Sequence, residues 1–230
     1  MKLNLLQSFS AILLSSIALT SCQSETTEGN TPEVTQAEEV RKDTPEKVEN
    51  NVVFNANLAS EDELKLVGLS PELIEQVVAN RPFITMNSLD SLLGEIENKE
   101  ELYRHIFVPF NLNTTPEADF KLIPGVGEKM AHEFEEYRPY KSIKQFRKEI
   151  GKYVDESEVA RYESYVFLPV ELNTATEEEI KSLPGVGEKM AHEFEEYRPY
   201  SNIKQFEKEI GKYVDDQELK RLIRLVYLKK

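Results

Sequence analysis

Apolar residues are distributed along the chain in three regimes. A short apolar stretch runs from Phe9 to Leu19. Residues 23–53 are then rich in Ser, Thr, Glu, Asn and Pro, with hardly any bulky apolar side chain. From residue 54 onward, apolar positions recur at intervals of three and four residues in short blocks, which is the spacing of amphipathic helices. One block carries Val126, Met130, Phe134 and Tyr137 on one helical face, and the next carries Ile143, Phe146 and Ile150. A third carries Val159, Tyr162 and Val166. Nothing in this pattern asks for an extensive sheet.

The blocks repeat. Asn57-Leu58-Ala59, Asn113-Thr114-Thr115 and Asn173-Thr174-Ala175 each precede an acidic helix start, and Arg81-Pro82-Phe83, Arg138-Pro139-Tyr140 and Arg198-Pro199-Tyr200 keep the same phase. Residues Pro124–Tyr140 and Pro184–Tyr200 are identical, whereas the first copy is diverged. The expected domains are a signal peptide at 1–22, an acidic tether at 23–53, and repeats at 54–109, 110–169 and 170–230.

Each repeat reads as four short helices. Ser60/Glu63 and Thr176/Glu179 have the spacing of capping boxes, as does Asp155/Glu158. Pro116 suits a first helical position. The first helix of repeat two is expected to stop at Pro124-Gly125-Val126-Gly127, where two glycines permit a tight hairpin. The second ends before Pro139, because proline disfavours helix in the residue before it.

The N-terminus has export chemistry. Lys2 supplies a positive end, the apolar stretch is too short to span a bilayer, and Leu19-Thr20-Ser21-Cys22 follows it. That ending resembles the lipobox of bacterial lipoproteins. The resemblance implies cleavage before Cys22, lipidation of its sulfur, and a membrane-anchored chain on the periplasmic or extracellular side of the cell envelope. The plainer alternative is a cleaved signal with an incidental cysteine. Cys22 is the only cysteine, so no intramolecular disulfide can form. Residues 23–53 cannot bury enough surface to offset their ordering entropy, and read as a disordered tether.

Asn173-Thr174-Ala175, the acidic helix start and Leu183-Pro184-Gly185-Val186-Gly187-Glu188-Lys189 together resemble the helix-hairpin-helix domain of ComEA-like competence proteins. Repeats two and three carry the resemblance well, and residues 54–109 weakly. It implies an all-α fold of tandem helix-hairpin-helix (SAM-domain-like) repeats, and an exported protein that binds double-stranded DNA without reading its sequence. The implied phosphate ligands are the hairpin residues Gly125, Val126, Gly127, Glu128 and Lys129, with Gly185, Val186, Gly187, Glu188 and Lys189. Their backbone amides would point at a phosphate, aided by the helix dipole. Repeat one departs from the pattern, with Ser70 in place of the second glycine and Glu72 in place of the lysine. The second hairpin of every repeat has also lost its Gly-x-Gly. Repeat one is therefore expected to be structural.

Charge limits this reading. The formal net charge is −14, which argues against a chain-wide electrostatic grip on DNA or on an anionic membrane. The acidity is concentrated, with net −5 in residues 23–53 and −6 in 54–109, against −2 in each of repeats two and three. Lys129, Lys141, Lys144, Arg147, Lys148 and Lys152 could form a local basic face. Against it, Glu133, Glu135 and Glu136 follow the hairpin lysine, within about a Debye length (~8 Å) of the expected phosphate or little beyond. The alternative function is a non-catalytic envelope scaffold whose repeats bind protein.

No enzymatic centre is expected. His132-Glu133 begins like a zinc-protease motif, but Glu136 stands where the second histidine belongs. The Glu135/Glu136 and Glu195/Glu196 pairs have no nucleophile or histidine in phase and read as a solvated face. Asn113 and Asn173 read as turn and cap residues. No cofactor or metal is expected.

Overall fold

The computed structural model describes residues 52–229. The expectations placed on residues 1–51, namely the signal peptide, lipidation at Cys22 and most of the tether, lie outside the described residues.

The described chain is mostly helical, in the predicted pattern of four short helices per repeat. Repeat one holds α1 (Glu61–Leu66), α2 (Pro71–Ala79), α3 (Met86–Leu93) and α4 (Lys99–Tyr103). Repeat two holds α5 (Glu117–Phe120), α6 (Glu128–Glu136), α7 (Ile143–Ile150) and α8 (Glu156–Glu163). Repeat three holds α9 (Glu177–Lys181), α10 (Glu188–Glu196), α11 (Ile203–Ile210) and α12 (Asp216–Ile223).

Each repeat is closed by a pair of two-residue strands that the apolar pattern does not reveal. β1 (Phe54–Asn55) pairs in parallel with β2 (Ile106–Phe107), β3 (Phe110–Asn111) with β4 (Val166–Phe167), and β5 (Val170–Glu171) with β6 (Val226–Tyr227). The strands joining adjacent repeats are two residues apart, so the end of one repeat packs directly on the start of the next. Phe107 meets Phe110 and Tyr165 edge-on, with ring centroids 5.0 and 4.9 Å apart. From Phe110 the edge-to-face series continues through Phe120, Phe134 and Phe146, which gives repeats one and two a single continuous core. Repeat three has its own cluster, which includes Phe167 from the end of repeat two.

Two recurring side chains clasp each repeat. Asn57, Asn113 and Asn173 each accept from the backbone N–H of Phe83, Tyr140 or Tyr200 and donate to the same residue's carbonyl, at 2.6–3.0 Å. They are thus bolts between distant segments rather than helix caps. The Arg81 guanidinium donates to the carbonyls of Ala56 (2.8 Å) and Ala59 (2.6 Å). Arg138 reaches Leu112 and Thr115, and Arg198 reaches Leu172 and Ala175, in the same way. These arginines share the carbonyls at the repeat's entrance, which explains why Arg-Pro keeps phase with Asn. All three Arg–Pro bonds are cis.

Two local expectations need correction. Pro116 is the residue before α5, with an extended ψ of 146°, rather than its first helical residue, and α5 has only four residues. Asp155 caps α8 through the Glu158 N–H, but Glu158 does not reach back to complete the box. Its carboxylate is held by Arg161 instead, at 2.6–2.7 Å.

Candidate nucleic-acid interface: two uncapped hairpins

A helix begins with backbone N–H groups that no earlier turn can satisfy. Most helices here satisfy one with their own side chain. Ser60, Ser70, Thr85, Ser142, Asp155, Thr176, Asn202 and Asp215 each accept from the third amide of the helix that follows. Among described helices of eight or more residues, only α6 and α10 lack such a cap. Both are headed by glycine, Gly127 and Gly187. The amides of Gly127, Glu128, Lys129 and Met130 find no acceptor among the described residues, and the same holds for Gly187, Glu188, Lys189 and Met190.

The hairpin glycines divide into two kinds. Gly125 (φ 79°) and Gly185 (φ 70°) lie in the left-handed region that side chains resist, so the turn itself demands glycine there. Gly127 (φ −85°, ψ 177°) and Gly187 (φ −86°, ψ 175°) are extended, close to the geometry of Ser70 (φ −68°, ψ 156°). A Cβ built on either would meet nothing within 4 Å. Folding therefore does not require glycine at 127 and 187. What its absence of side chain does is leave bare amides facing open space.

The ten residues expected to meet phosphate do not act alike. Gly125, Gly127, Glu128 and Lys129 are exposed, as are Gly185, Gly187, Glu188 and Lys189. Val126 and Val186 are buried, and their amides donate to the carbonyls of Ile123 (2.9 Å) and Leu183 (3.1 Å). Those two amides are spent on the turn and leave the donor set. Met130 and Met190, which motif reading omits, join it as the third helical amide.

The charges around the hairpin are sorted by the fold. Lys129 and Lys189 form no ion pair among the described residues, whereas Glu128 lies 3.8 Å from Lys121. Of the expected basic face, Arg147 is paired with Glu163 (2.5 Å), and Lys148 and Lys152 both face Glu149. That leaves Lys129, Lys141 and Lys144 without a partner among the described residues. Two of the three opposing carboxylates are also occupied, whereas Glu133, which lines the cleft beside the hairpin, forms no ion pair among the described residues and has one buried oxygen without a hydrogen-bond partner. Glu135 approaches Arg138 (3.6 Å) and Glu136 approaches His132 (3.8 Å). Both sit at the far end of α6, a rise of about 10 Å from its start at 1.5 Å per residue. His132 has its pKa raised, chiefly by its hydrogen bond with Glu117 (3.2 Å). It lines an open cleft of ≈ 700 Å³ that runs beside Gly125, Gly127 and Lys129.

The two hairpins have the same sequence but different surroundings. Arg221, 3 % exposed, donates to the carbonyls of Pro184 and Gly185 from below. A Cβ on Gly185 would also meet the Leu58 side chain of repeat one at 2.4 Å. At Gly125 the only such neighbour is Arg161, at 3.3 Å, and one buried nitrogen of Arg161 has no hydrogen-bond partner. Arg221 and Arg161 escape sequence reading because each lies 36 residues beyond the hairpin glycine it neighbours. The sole trace is that both follow a glutamate by three residues, Glu158–Arg161 and Glu218–Arg221.

Among the described residues there is no group of three or more His, Cys, Asp or Glu placed to hold a metal ion, and no helix long and apolar enough to cross a membrane. No curated protein and no solved structure matches the chain. Residues 167–222 match the family model described as a helix-hairpin-helix motif, and the hairpin inside that stretch recurs unchanged at 124–140, so the chain carries a helix-hairpin-helix domain.

Proposed function

We propose that this chain binds double-stranded DNA without sequence preference, through phosphates seated on the bare amides at the start of α6 and α10. The observation that carries the reading is the pairing of two facts at Gly127 and Gly187: a backbone that any residue could adopt, and donors left without a cap. Repeat one provides an internal comparison. There Ser70 stands at the same place, with the same geometry, and takes up the Leu73 amide itself (3.4 Å). An anion at α6 would receive the amides of Gly127, Glu128, Lys129 and Met130, the positive end of the helix dipole, and the Lys129 ammonium. These groups hold backbone phosphate and touch no base edge, so they position a duplex without reading it.

Two such sites on an acidic chain give weak, salt-sensitive binding. Neutralising two to four phosphates corresponds to a slope of about −2 to −4 in log K against log salt. Binding of one duplex across both hairpins would raise the affinity above that of either site. The test is fluorescence anisotropy with a labelled random duplex at low and moderate salt. Saturable binding with a slope in that range supports the reading, and absence of binding at low salt removes it.

The reading extends to an exported chain lipidated at Cys22, non-catalytic, that holds DNA at the cell envelope, with DNA uptake as its setting. Its support is the Lys2, apolar stretch and Cys22 series of the N-terminus. Metabolic labelling with a fatty-acid analogue checks it: label should enter the membrane fraction with the wild-type chain and be lost from Cys22→Ser. Equal labelling of both, or of neither, overturns the anchor.

A further inference from the structure

Repeat one has lost two of its hairpin donors, since Pro71 has no N–H and Ser70 takes up the Leu73 amide, and it has changed a second surface at the same time. α2, α6 and α10 correspond residue for residue, counted from the Arg-Pro that follows each. The stripe Pro71, Ile74, Glu75 and Val78 lies on one side of α2, at helical spacing. Its counterpart on α6 is Glu128, Ala131, His132 and Glu135, and α10 repeats that set unchanged. Three of the four positions in the stripe, all but the buried Ala131 and Ala191, are thus polar in two repeats, where the first repeat has apolar residues and a single acid.

That stripe forms one wall of a groove of ≈ 720 Å³ between α1 and α2. Leu69 and Ile74 make its floor, 6 % and 8 % exposed, with Val78 half-buried beside them. Glu61, Asp62 and Glu75 stand along the rim against one cation, Lys65. None of the three acids has an ion-pair partner among the described residues. An apolar floor inside a rim of free carboxylates suits one kind of occupant.

We propose that this groove docks a basic amphipathic helix of a partner protein. Its apolar side would lie along Leu69, Ile74 and Val78, and its Lys or Arg side chains would meet Glu61, Asp62 and Glu75. This is helix-in-groove recognition, with anchors spaced by three and four residues. The charge argues against the other occupants. A duplex would bring phosphates to carboxylates, and a second copy of this chain carries net charge −14. The proposal does not depend on the hairpins binding DNA.

The probe is a synthetic Lys/Leu peptide patterned as an amphipathic helix. Its controls are the same composition scrambled to destroy the pattern, and the Glu/Leu equivalent. All are titrated into the ¹⁵N-labelled full-length chain and followed by amide shifts and calorimetry. The patterned basic peptide should bind saturably, with shifts concentrated on α1 and α2, and neither control should match it. Val78→Glu restores the residue that the other two repeats carry on this helix and should weaken binding at least tenfold. Glu75→Lys should do the same through the rim alone. Shifts spread across the acidic surface, equal binding of the scrambled peptide, no binding at all, or indifference to both substitutions would each overturn the proposal.

Discussion

Replacing Gly127 and Gly187 with serine sets folding against binding. The backbone at both positions already has the conformation of Ser70, and a Cβ there meets nothing within 4 Å. The new hydroxyl should accept from the Met130 and Met190 amides, as Ser70 accepts from Leu73. A serine cap exceeds a glycine cap by a few tenths of a kcal/mol. Removing a glycine's freedom from the unfolded chain adds about 0.4–1 kcal/mol per site. The double variant should therefore gain about 1–3 kcal/mol, or about 2–12 °C in Tm for a folded region of this size. At the same time the hydroxyl oxygen fills the place meant for a phosphate oxygen. Losing one hydrogen bond to a charged acceptor costs about 1.5–3 kcal/mol. At about 1.4 kcal/mol per decade, each site should lose about tenfold to a hundredfold in affinity. Thermal denaturation followed by circular dichroism reads the first effect, and duplex anisotropy at low salt reads the second. A variant that melts higher yet binds DNA as tightly as wild type would show that the hairpins are not the binding site. A variant that melts lower would show that the capping geometry is misread.

Other substitutions probe the frame around the hairpins. Gly125→Ala and Gly185→Ala force a side chain into a left-handed backbone and should each cost about 1–2 kcal/mol in urea unfolding, with the larger loss at Gly185, where Leu58 must also move; equal stability to wild type would contradict the turn assignment. Asn173→Ala removes both hydrogen bonds to the Tyr200 backbone and should cost about 1–3 kcal/mol, whereas an effect within error would mean the clasp is ornamental. The Asp90 carboxyl is held below its usual range, first by its hydrogen bond to Lys99 (2.7 Å) and then by Tyr103. A carboxylate depressed in the folded state contributes stability above its unfolded pKa, about 3.9, and loses it as pH falls through the folded value. Asp90→Asn should therefore flatten the acid end of the stability–pH profile below about pH 4 and lower stability near neutrality; an unchanged profile would count against the pairing.

Much of the helical frame is legible in the sequence because its determinants are local. Ser60/Glu63 and Thr176/Glu179 form the full capping boxes that their spacing suggests. At Asp155/Glu158 the same spacing misleads, since Arg161 competes for Glu158 with a bidentate bond stronger than a reach back to the backbone. The Asn bolts link residues 26 or 27 apart and Arg221 lies farther still from the Gly185 carbonyl it meets, so no local rule exposes them. Two-residue strands are too short to leave an alternating pattern. At the hairpin, the motif locates the loop, but it cannot tell a glycine demanded by the turn, Gly125, from one that only clears space, Gly127. Nor can it tell that Val126 spends its amide on Ile123. Those distinctions depend on backbone angles and on which donors already have acceptors.

The decisive observation is a duplex titration at low salt that follows individual backbone amides by ¹H–¹⁵N correlation. The hairpin account expects downfield shifts at Gly127, Glu128, Lys129, Met130, Gly187, Glu188, Lys189 and Met190, little change at Val126 and Val186, and none at the Ser70-capped amide of Leu73 in α2. Duplex binding that leaves all eight resonances in place, or moves those of α2 as much, would contradict it.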